Sequence, residues 1–535
     1  MSVLPYVEKK RFVAWIAATI MLPLLFMASC SSDDSDDSTK KAKPNPYLAA
    51  ELYAITHFDS SQSDSTPYGP ERSISQVKLE DKPMVYGGPV NIITLASTDK
   101  NSMWAAGSDR VSYVQTGSGS FEVQAVFQAL ANATDNAFPV IADEDMLAFA
   151  QSSAKGMTVD QMDAELKTMM GANYALRFGN GIYSVVDKDN LLYANYGNAL
   201  CVFTLIDPAN PSAGITLKRI LKDVINAIQG QDPAPPANAR ITSVCMTYDG
   251  YLILGFSNGV GIINRELETT SAKFYRFADN EFCSNSIAVD EKNGIYVASD
   301  RVMRKLVWTG SSISDSAADG AWSSPYDTST QPPIIKVGIG TGSTPTLMGF
   351  GDNEDRLVVI TDGAQRMKLV AFWRDDIPEG FEQKPGTASR RIADQIQVTC
   401  GFTDLPDWIQ SEQSVVVSGR GAFVVNNIPQ VVSPELQNQN KILQVSLMGP
   451  AYPTSYGAER FEWDRDADAW RSVWARSDVS STSMVPIHSE SAGLALVNGY
   501  TDQDGWEVTG LDWESGQTAY RAIFGQENFG NGAYA

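Results

Sequence analysis

The feature that most constrains this 535-residue chain is a unit of short apolar bursts separated by tight turns, which recurs along most of its length. The stretch "ITSVCMTYDGYLILGFSNGVGIINREL" is typical, because Asp-Gly and Asn-Gly pairs separate its bursts. Such pairs are strong hairpin signals, since both turn positions need a positive φ. The bursts do not alternate with helix patterns, so the sequence predicts antiparallel sheets rather than a parallel α/β sheet.

The units can be aligned on the strand that follows the first turn of each. The shortest step, from Tyr251 to Ile295, is about 44 residues and matches one propeller blade, while longer steps leave room for insertions. The alignment points are Met103, Ile182, Tyr251, Ile295, Leu357, Ala422 and Leu494. The sequence therefore predicts an all-β fold, a β-propeller of about seven blades, with six or eight as alternatives.

Two insertions have helical patterns. In residues 121–170, Thr158 and Gln161 form a capping box ahead of apolar residues at helix spacing. In residues 216–230, Leu217 to Ile228 reads as an amphipathic helix that ends before a Pro-rich stretch. Both are expected as lids or partner surfaces on one face of the ring, or as helices packed on blade edges.

The N-terminus carries an export pattern. Lys9, Lys10 and Arg11 precede an apolar run from Phe12 to Met27, which is short for a membrane span. The run ends in "MASC", and this pattern resembles the bacterial lipobox, although Met27 stands where Leu is commonest. The resemblance implies a signal peptide over residues 1–29, cleavage before Cys30, and acylation of Cys30. Residues 30–46 are then an acidic, Ser- and Pro-rich tether, and 47–535 a single propeller domain.

An acylated Cys30 would hold the protein on a membrane through its acyl chains. Because Ser31 rather than Asp follows, the resemblance favours the outer membrane. The formal net charge of -22 disfavours nucleic acid and anionic lipid as partners. The remaining cysteines lie far apart without a C-x-x-C pattern, so neither a zinc nor a redox motif is predicted. Cys201 and Cys245 lie inside apolar bursts and are expected to be buried.

The stretch from Asn285 to Trp308 resembles a blade of the NHL or gluconolactonase type. Ile287 to Asp290, Gly294 and Ile295 to Val297 carry the resemblance. In gluconolactonase-like enzymes, a Glu, an Asn and an Asp from different blades hold a divalent cation in the central channel. The resemblance implies Asn285 and Asp300 as candidate metal ligands, with Asp362 from the next unit.

The C-terminal part resembles quinoprotein propeller repeats, which end a blade with an Asp, a Ser or Thr before Gly, and an aromatic residue. "LDWESGQTAY" carries Asp512, Ser515, Gly516 and Tyr520 at those positions. The pattern implies an outer hairpin and an aromatic residue docked between blades, not binding of PQQ. Over its whole length the chain looks most like uncharacterised secreted PQQ-like propeller proteins of bacteria, which carry stretches like Thr344–Gly349, Ile360–Asp362 and Glu412–Val417.

Few residues point to chemistry. The chain has two histidines, His57 near the tether and His488, which is expected on a loop. Asp464, Asp466 and Asp468 have the spacing of a calcium loop, but Ala469 and Ala475 replace the Gly and Glu of an EF-hand. Ca²⁺ or another divalent cation is one interpretation of them, and a solvated hairpin is the other. "GIGTGSTPT" lacks the Lys of a phosphate loop and is interpreted as a crossing between blades that could line the channel.

Three functions remain open. The first is a membrane-anchored extracytoplasmic propeller that binds a protein or small molecule, since no complete catalytic set is evident. The second is a metal-dependent lactonase or esterase in the channel, using Asn285, Asp300 and Asp362. The third is a PQQ-dependent oxidoreductase, which the quinoprotein resemblance brings in.

Overall fold

The structure, a computed structural model, describes residues 41–49, 59–79, 82–87, 93–117, 121–134, 139–177, 179–482 and 484–532. The described residues all belong to one compact unit, Ser38–Ala535. Cys30 and His57 lie outside the described residues. In the part of the chain that is described, none of the helices has the length and apolar character that crossing a membrane requires.

Two short strands come first in the chain, β1 (Ser65–Thr66) and β2 (Ile74–Gln76). The strands that follow in the described residues build seven sheets, each with four antiparallel strands in chain order. Blade 1 contains β3 (Ile93–Asp99), β4 (Ser102–Gly107), β5 (Val111–Gln115) and β6 (Glu122–Phe127). Blade 2 contains β7 (Val185–Val186), β8 (Leu192–Tyr196), β9 (Ala199–Leu205) and β10 (Ile215–Leu221). Blade 3 contains β11 (Ile241–Met246), β12 (Tyr251–Phe256), β13 (Gly259–Asn264) and β14 (Lys273–Arg276).

The remaining blades follow the same plan with longer excursions. Blade 4 contains β15 (Ala288–Val289), β16 (Gly294–Ala298), β17 (Val302–Trp308) and β18 (Ile313–Ser314), and β19 (Trp322–Pro325) also pairs with β17. Blade 5 contains β20 (Thr346–Met348), β21 (Leu357–Thr361), β22 (Lys368–Trp373) and β23 (Ile392–Gln397). Blade 6 contains β24 (Val416–Ser418), β25 (Gly421–Val425), β26 (Tyr456–Asp464) and β27 (Ala469–Ser480). Blade 7 contains β28 (Ile487–Ser489), β29 (Leu494–Thr501), β30 (Gly505–Asp512) and β31 (Thr518–Gly525).

This arrangement confirms the predicted β-propeller. Six of the seven alignment points fall in the second strand of a blade, as predicted. Ile182 is the exception, because it precedes the first strand of blade 2, whose second strand is β8. The "DKDN" stretch after β7, rather than anything near Ile182, makes the first turn of that blade, with Asn190 at a positive φ.

The N-terminal segment, whose described residues are 41–49 and 59–66, lies along the first strands of most blades. Its backbone carbonyls at Ser60, Ser61, Ser63 and Asp64 accept hydrogen bonds from Val289, Leu347, Val417 and His488, one in each of blades 4 to 7. Five consecutive residues span at most about 15 Å, so these first strands converge on one axis. They are therefore the inner strands of the ring, and the segment lies inside the central channel.

Earlier along the chain, the same segment also contacts blades 2 and 3. The Asn45 side chain donates to the carbonyls of Met246 and Thr247 in blade 3, and the Ala49 N–H donates to Val186 in blade 2. Strands β1 and β2 then pair in parallel with β28 and β31, the two edges of blade 7. Residues 41–46, which the sequence assigns to the tether, thus begin the contact with the blades, because Asn45 is a buried polar residue with partners.

Helices fill the connections on the side of the ring where the inner strands begin. They are α1 (Leu130–Ala133), α2 (Asp143–Gln151), α3 (Val159–Met170), α4 (Tyr174–Arg177), α5 (Val224–Ala227), α6 (Pro434–Gln437) and α7 (Lys441–Leu447). The predicted helix in 121–170 is confirmed as α3, with the capping box between Thr158 and Gln161 formed as expected. Its buried Met162, Leu166 and Met170 pack with α7 in one apolar cluster.

The predicted helix from Leu217 to Ile228 is wrong. Residues 215–221 form β10, the outer strand of blade 2, and only Val224–Ala227 is helical. The register of β10 against β9 shifts between Leu217 and Arg219, so its apolar residues do not alternate as a regular strand's would. That irregular spacing imitates helix periodicity, and pairing with a buried neighbour decides the outcome.

The expected burial of Cys201 and Cys245 is confirmed, and two further cysteines are buried as well. Cys201, Cys245, Cys283 and Cys400 are buried and unpaired with one another. Burial raises the pKa of the Cys201 thiol to about 12 and that of Cys283 to about 11, which keeps both protonated at neutral pH. They pack as small apolar residues between blades.

Candidate functional site

A cavity of about 520 Å³ opens at the channel end where the inner strands begin. We call it the mouth cavity. Six blades contribute polar or small residues that lie just before or at the start of an inner strand, or at the end of β8 and in the turn that follows it. These include Asn195, Asn198, Arg240, Thr242, Ser284, Asn285, Gly342, Glu412, Gln413 and Val485. The turn before β7 and the helices add Leu176, Asn180, Tyr183 and Lys441.

Hydroxyl groups fix the rim of this cavity by linking neighbouring blades. The Ser286 N–H donates to Thr344 Oγ1, and the Thr344 N–H donates in turn to Ser414 Oγ, both at 3.1 Å. Ser343 Oγ donates to the Gln413 carbonyl at 3.0 Å. Because these residues directly precede inner strands, the starts of blades 4, 5 and 6 are held in register around the mouth.

The "GIGTGSTPT" crossing lines this cavity at Gly342, as the sequence predicts. A side chain at Gly342 would meet the Cα of Glu412 at 2.6 Å, so the crossing can approach blade 6 only without a Cβ. The Asn427 amide oxygen holds the other side by accepting from the Glu412 N–H and from Ser411 Oγ. The position of Glu412 in the wall is therefore fixed from both sides.

Two side-chain oxygens of residues that line the cavity have no hydrogen-bond partner among the described residues. Asn195 is 3% exposed, and its amide nitrogen Nδ2 donates to the Gly197 carbonyl at 3.3 Å. The oxygen atom of the same amide is Oδ1. Neither Asn195 Oδ1 nor Thr242 Oγ1 has a hydrogen-bond partner in the described residues. A buried polar atom left without a partner costs about 1 to 3 kcal/mol. Both oxygens are enclosed by the surrounding protein, so the wall of the cavity carries this cost.

The mouth cavity is lined by one ion pair, between Glu412 and Lys441, and by a separate cation, Arg240. Glu412 Oε1 accepts from Lys441 Nζ at 2.8 Å, and its Oε2 accepts from the Val337 N–H at 3.2 Å. Lys441 is the first residue of α7, so this ion pair ties the helical insertion of blade 6 to the channel wall. Arg240 lies across the cavity, at the start of blade 3.

Two more ionisable side chains, Lys336 and Asp362, are buried in the protein. Lys336 Nζ donates to Gln410 Oε1, and burial lowers the pKa of Lys336 to about 8. Burial likewise raises the pKa of Asp362 to about 6, against the opposing effect of Lys368. Gln410 also donates to backbone carbonyls of residues 362 and 364, so it bridges the two charged residues.

The three residues predicted as metal ligands each have other partners. Asn285 lines the mouth cavity, where its Oδ1 accepts from Ser284 Oγ at 3.0 Å. Asp300 Oδ1 accepts from the Phe282 N–H at 2.9 Å. Asp362 Oδ1 accepts from the Ala364 and Lys368 N–H groups, and its Oδ2 lies 3.3 Å from Lys368 Nζ. None of these partners is another of the three.

Asp464, Asp466 and Asp468 lie in the hairpin between β26 and β27. Asp464 Oδ1 accepts from the Asp466 and Ala467 N–H groups, and the backbone of Asp468 has a positive φ. Asp464 thus shapes the turn. In the described ranges, no group of three or more His, Cys, Asp or Glu side chains is placed to hold a metal ion.

His488 was expected on a loop, and that expectation is wrong. It lies on the inner strand β28, is 5% exposed, and contacts Ser65 of the N-terminal segment. Sequence reasoning also passed over Asn195, Thr242 and Arg240. A repeated signal could have found Thr242, because "ITSV", "SNSI" and "EQSV" each place a polar residue just ahead of an inner strand or at its start.

The comparisons with known proteins are limited. No protein-family model matches the chain. An uncharacterized protein of Archaeoglobus fulgidus is 36% identical over 303 residues, covering 54% of this chain and 55% of its own length. The chain thus spans about half the length of that relative.

Solved structures resemble the fold. A europium-containing methanol dehydrogenase has a TM-score of 0.46 at 9% identity, covering 91% of this chain and 86% of its own. The quinohemoprotein alcohol dehydrogenase of Comamonas testosteroni has a TM-score of 0.45 at 12% identity, covering 92% and 75%. Likenesses at this level say nothing of a cofactor or substrate for this chain.

Proposed function

We propose that this protein is a membrane-anchored extracytoplasmic propeller that binds a small, hydroxyl-rich molecule in the mouth cavity. One observation carries the proposal. Amide and hydroxyl side chains from blades 2, 3, 4 and 6 converge, together with Arg240 and Glu412, on one cavity of ligand size. Cavities of about 300 to 1,000 Å³ with a few convergent polar groups are the usual form of a small-molecule site.

The chemistry of the lining indicates the class of ligand. Amide and hydroxyl side chains recur around the wall among apolar residues and glycines, and they can both donate and accept. A molecule with several hydroxyl groups matches such a surface, because each hydroxyl can also do both. Arg240 adds a cation that would favour a ligand with a carboxylate, while Lys441 is neutralised by Glu412.

The proposed function includes a membrane anchor at Cys30. It rests on the basic, apolar and small-residue pattern ahead of Cys30 and on the polar stretch that follows. Attachment to the outer membrane is inferred from Ser31. The metal-dependent lactonase and the PQQ-dependent oxidoreductase stay predictions, since no contact in the described residues specifically favours either.

Thermal unfolding in the presence of candidate compounds tests the binding function. Neutral sugars, sugar acids and their lactones form the panel, and apolar compounds of equal size serve as its control. We expect at least one hydroxyl-rich compound to raise the Tm of the intact chain, because binding to the native state alone stabilises it. The shift should disappear in Asn195→Leu, which keeps the branching of the side chain but places two bulkier methyl groups in the cavity wall instead of an amide.

The matched control is Asn226→Leu, at an exposed position on α5 away from the cavity. That variant should keep the full ligand-induced shift. If no compound of the panel shifts the Tm, or if Asn195→Leu responds like the wild type, the mouth cavity is not the binding site.

A further inference from the structure

A second cavity lies at the other end of the inner strands. It has a volume of about 740 Å³, and we call it the floor cavity. Its walls come from the ends of inner strands in blades 5, 6 and 7 and from the N-terminal segment, whereas the mouth cavity is lined by residues before those strands. The two cavities are therefore distinct, and the floor cavity goes beyond the function proposed above.

His488 is the central polar group of the floor cavity. Its Nδ1 lies 2.9 Å from Ser65 Oγ, and the same hydroxyl donates to Glu490 Oε1 at 3.1 Å. A carboxylate can only accept, and the Ser65 hydroxyl has a single proton. The hydroxyl proton therefore points to Glu490, and the proton between Ser65 and His488 belongs to Nδ1.

This chain of hydrogen bonds fixes the tautomer of the imidazole. With the proton on Nδ1, the other nitrogen, Nε2, carries a lone pair and is an acceptor. Nε2 has no hydrogen-bond partner in the described residues, and it is not among their fully enclosed polar atoms. His488 lines the floor cavity, so this acceptor is accessible from it.

The surroundings keep the imidazole neutral and fixed in place. Burial lowers the pKa of His488 to about 4, so the ring is uncharged at neutral pH. Trp513 packs against it with the ring centroids 4.3 Å apart. Lys41 forms an ion pair with Glu490 and thereby balances the negative charge at the end of this chain of hydrogen bonds.

The remaining walls of the floor cavity differ in polarity. One side is apolar, formed by Leu347, Met348, Phe350 and Val417. The other side carries Arg460, whose Nε is buried and has no hydrogen-bond partner in the described residues, although its terminal nitrogens contact Glu462 and Glu514. A fixed imidazole acceptor thus faces a cavity that has an apolar wall on one side and the Arg460 guanidinium in another wall.

We propose that the floor cavity is a second small-molecule site for an apolar or aromatic ring that bears a hydroxyl or N–H group. The ring would pack on the apolar wall, and its polar group would donate to His488 Nε2. Ser65 and Glu490 are positioning residues, because they hold the tautomer that leaves Nε2 free to accept.

Phenol and toluene are the probes, since they have the same shape and differ in one donor. The experiment uses the intact chain carrying His57→Gln, which removes the only other histidine and leaves one imidazole to follow by ¹⁵N NMR. We expect the tautomer protonated on Nδ1, and a change in the Nε2 signal on adding phenol. Phenol should bind on the order of five-fold more tightly than toluene, the effect of one hydrogen bond.

Two variants separate this proposal from its alternatives. His488→Phe keeps a ring against Trp513 but removes the acceptor, so phenol and toluene should bind it equally. Asn195→Leu, in the mouth cavity, should leave both affinities unchanged, so the floor cavity can succeed or fail independently of the proposed function. A tautomer protonated on Nε2, or equal binding of the two probes to the protein with His488 intact, would overturn the proposal.

Discussion

The indole ring of Trp474 in blade 6 lies directly against Gly516 in blade 7. A Cβ added to Gly516 would stand 2.5 Å from Cδ2 of that ring. Trp474 Nε1 also donates to the Trp513 carbonyl at 2.9 Å, so the ring is fixed between the two blades. Asp512 shapes the same hairpin by accepting from the Ser515 N–H and hydroxyl. The Asp and Gly of the quinoprotein-like pattern thus serve docking between blades.

Gly516→Ala should destabilise the fold through this contact. Gly386→Ala is the matched control, because Gly386 also has a positive φ but an added Cβ would meet nothing within 4 Å. Both variants incur the cost of a left-handed backbone, and only Gly516→Ala forces Trp474 to move. We expect urea unfolding to show an additional loss of about 1 to 3 kcal/mol for Gly516→Ala. Equal losses in the two variants would contradict the docking role of Trp474.

The N-terminal segment should stabilise the ring through Asp59. The Asp59 carboxylate accepts from the Ser61 hydroxyl, the Ser63 N–H and the Ser63 hydroxyl, which holds the turn that presents carbonyls to blades 4 to 7. Asp207→Ala removes a comparable but exposed turn bond to the Ala209 N–H and serves as the control. We expect Asp59→Ala to lower the free energy of unfolding by about 2 kcal/mol more than Asp207→Ala. A smaller loss in Asp59→Ala than in the control would show that the segment adds no stability.

The buried imidazole of His488 predicts a dependence of stability on pH. Its pKa is about 4 in the fold, below the ordinary value of 6.5, so the unfolded chain takes up a proton first as the pH falls. Stability is therefore lost as the pH falls from about 6.5 to 4, by about 2 to 3 kcal/mol at pH 4.5. His488→Phe should remove this loss, measured as the difference in urea unfolding between pH 7 and pH 4.5.

Asp362 acts in the opposite direction over the same range. Its pKa is raised to about 6 by burial, so the folded state takes up that proton first and gains stability as the pH falls. The comparison must therefore be between wild type and His488→Phe, which share Asp362. If the two proteins lose the same stability between pH 7 and pH 4.5, His488 is not a buried neutral imidazole.

The proposed anchor makes a prediction about Cys30. Cys30→Ser should abolish incorporation of a radiolabelled fatty acid and move the protein from the membrane fraction to the soluble fraction, because the acyl chains would have no attachment point. Ser31→Asp is the control, since it keeps Cys30 and should keep acylation while changing the membrane in which the protein is found. Fatty-acid labelling that persists in Cys30→Ser would refute the lipobox interpretation.

The sequence predicts the fold well because blade signals are local. Turns such as Asp249-Gly250 and Asn258-Gly259 mark hairpins through their own backbone needs, and both occur where predicted in blade 3. Strand β10 was predicted as a helix because its bulge spoils the alternation, and only the neighbouring strand β9 resolves the ambiguity. The helix α7 was not predicted, since a single short segment of seven residues carries little periodicity.

The candidate sites were less accessible to sequence reasoning. Asn195 lies in the "YANYGN" turn and Glu412 just before β24, more than 200 residues apart, and only the ring brings them to one cavity. Ser65 and His488 are 423 positions apart and meet because β1 pairs with β28. No local pattern announces such long-range pairings. Asn285, predicted as a metal ligand, lines the mouth cavity, while its proposed partners Asp300 and Asp362 accept backbone hydrogen bonds from Phe282 and from Ala364.

The most direct test of the central proposal is a crystal structure of the intact chain with the hydroxyl-rich compound that gives the largest increase in Tm. We expect its density in the mouth cavity, with ligand hydroxyl groups within hydrogen-bond distance of polar side chains that line it, such as Asn198, Ser284 and Gln413. Density in the floor cavity or between outer strands, with the mouth cavity filled only by water, would contradict the account.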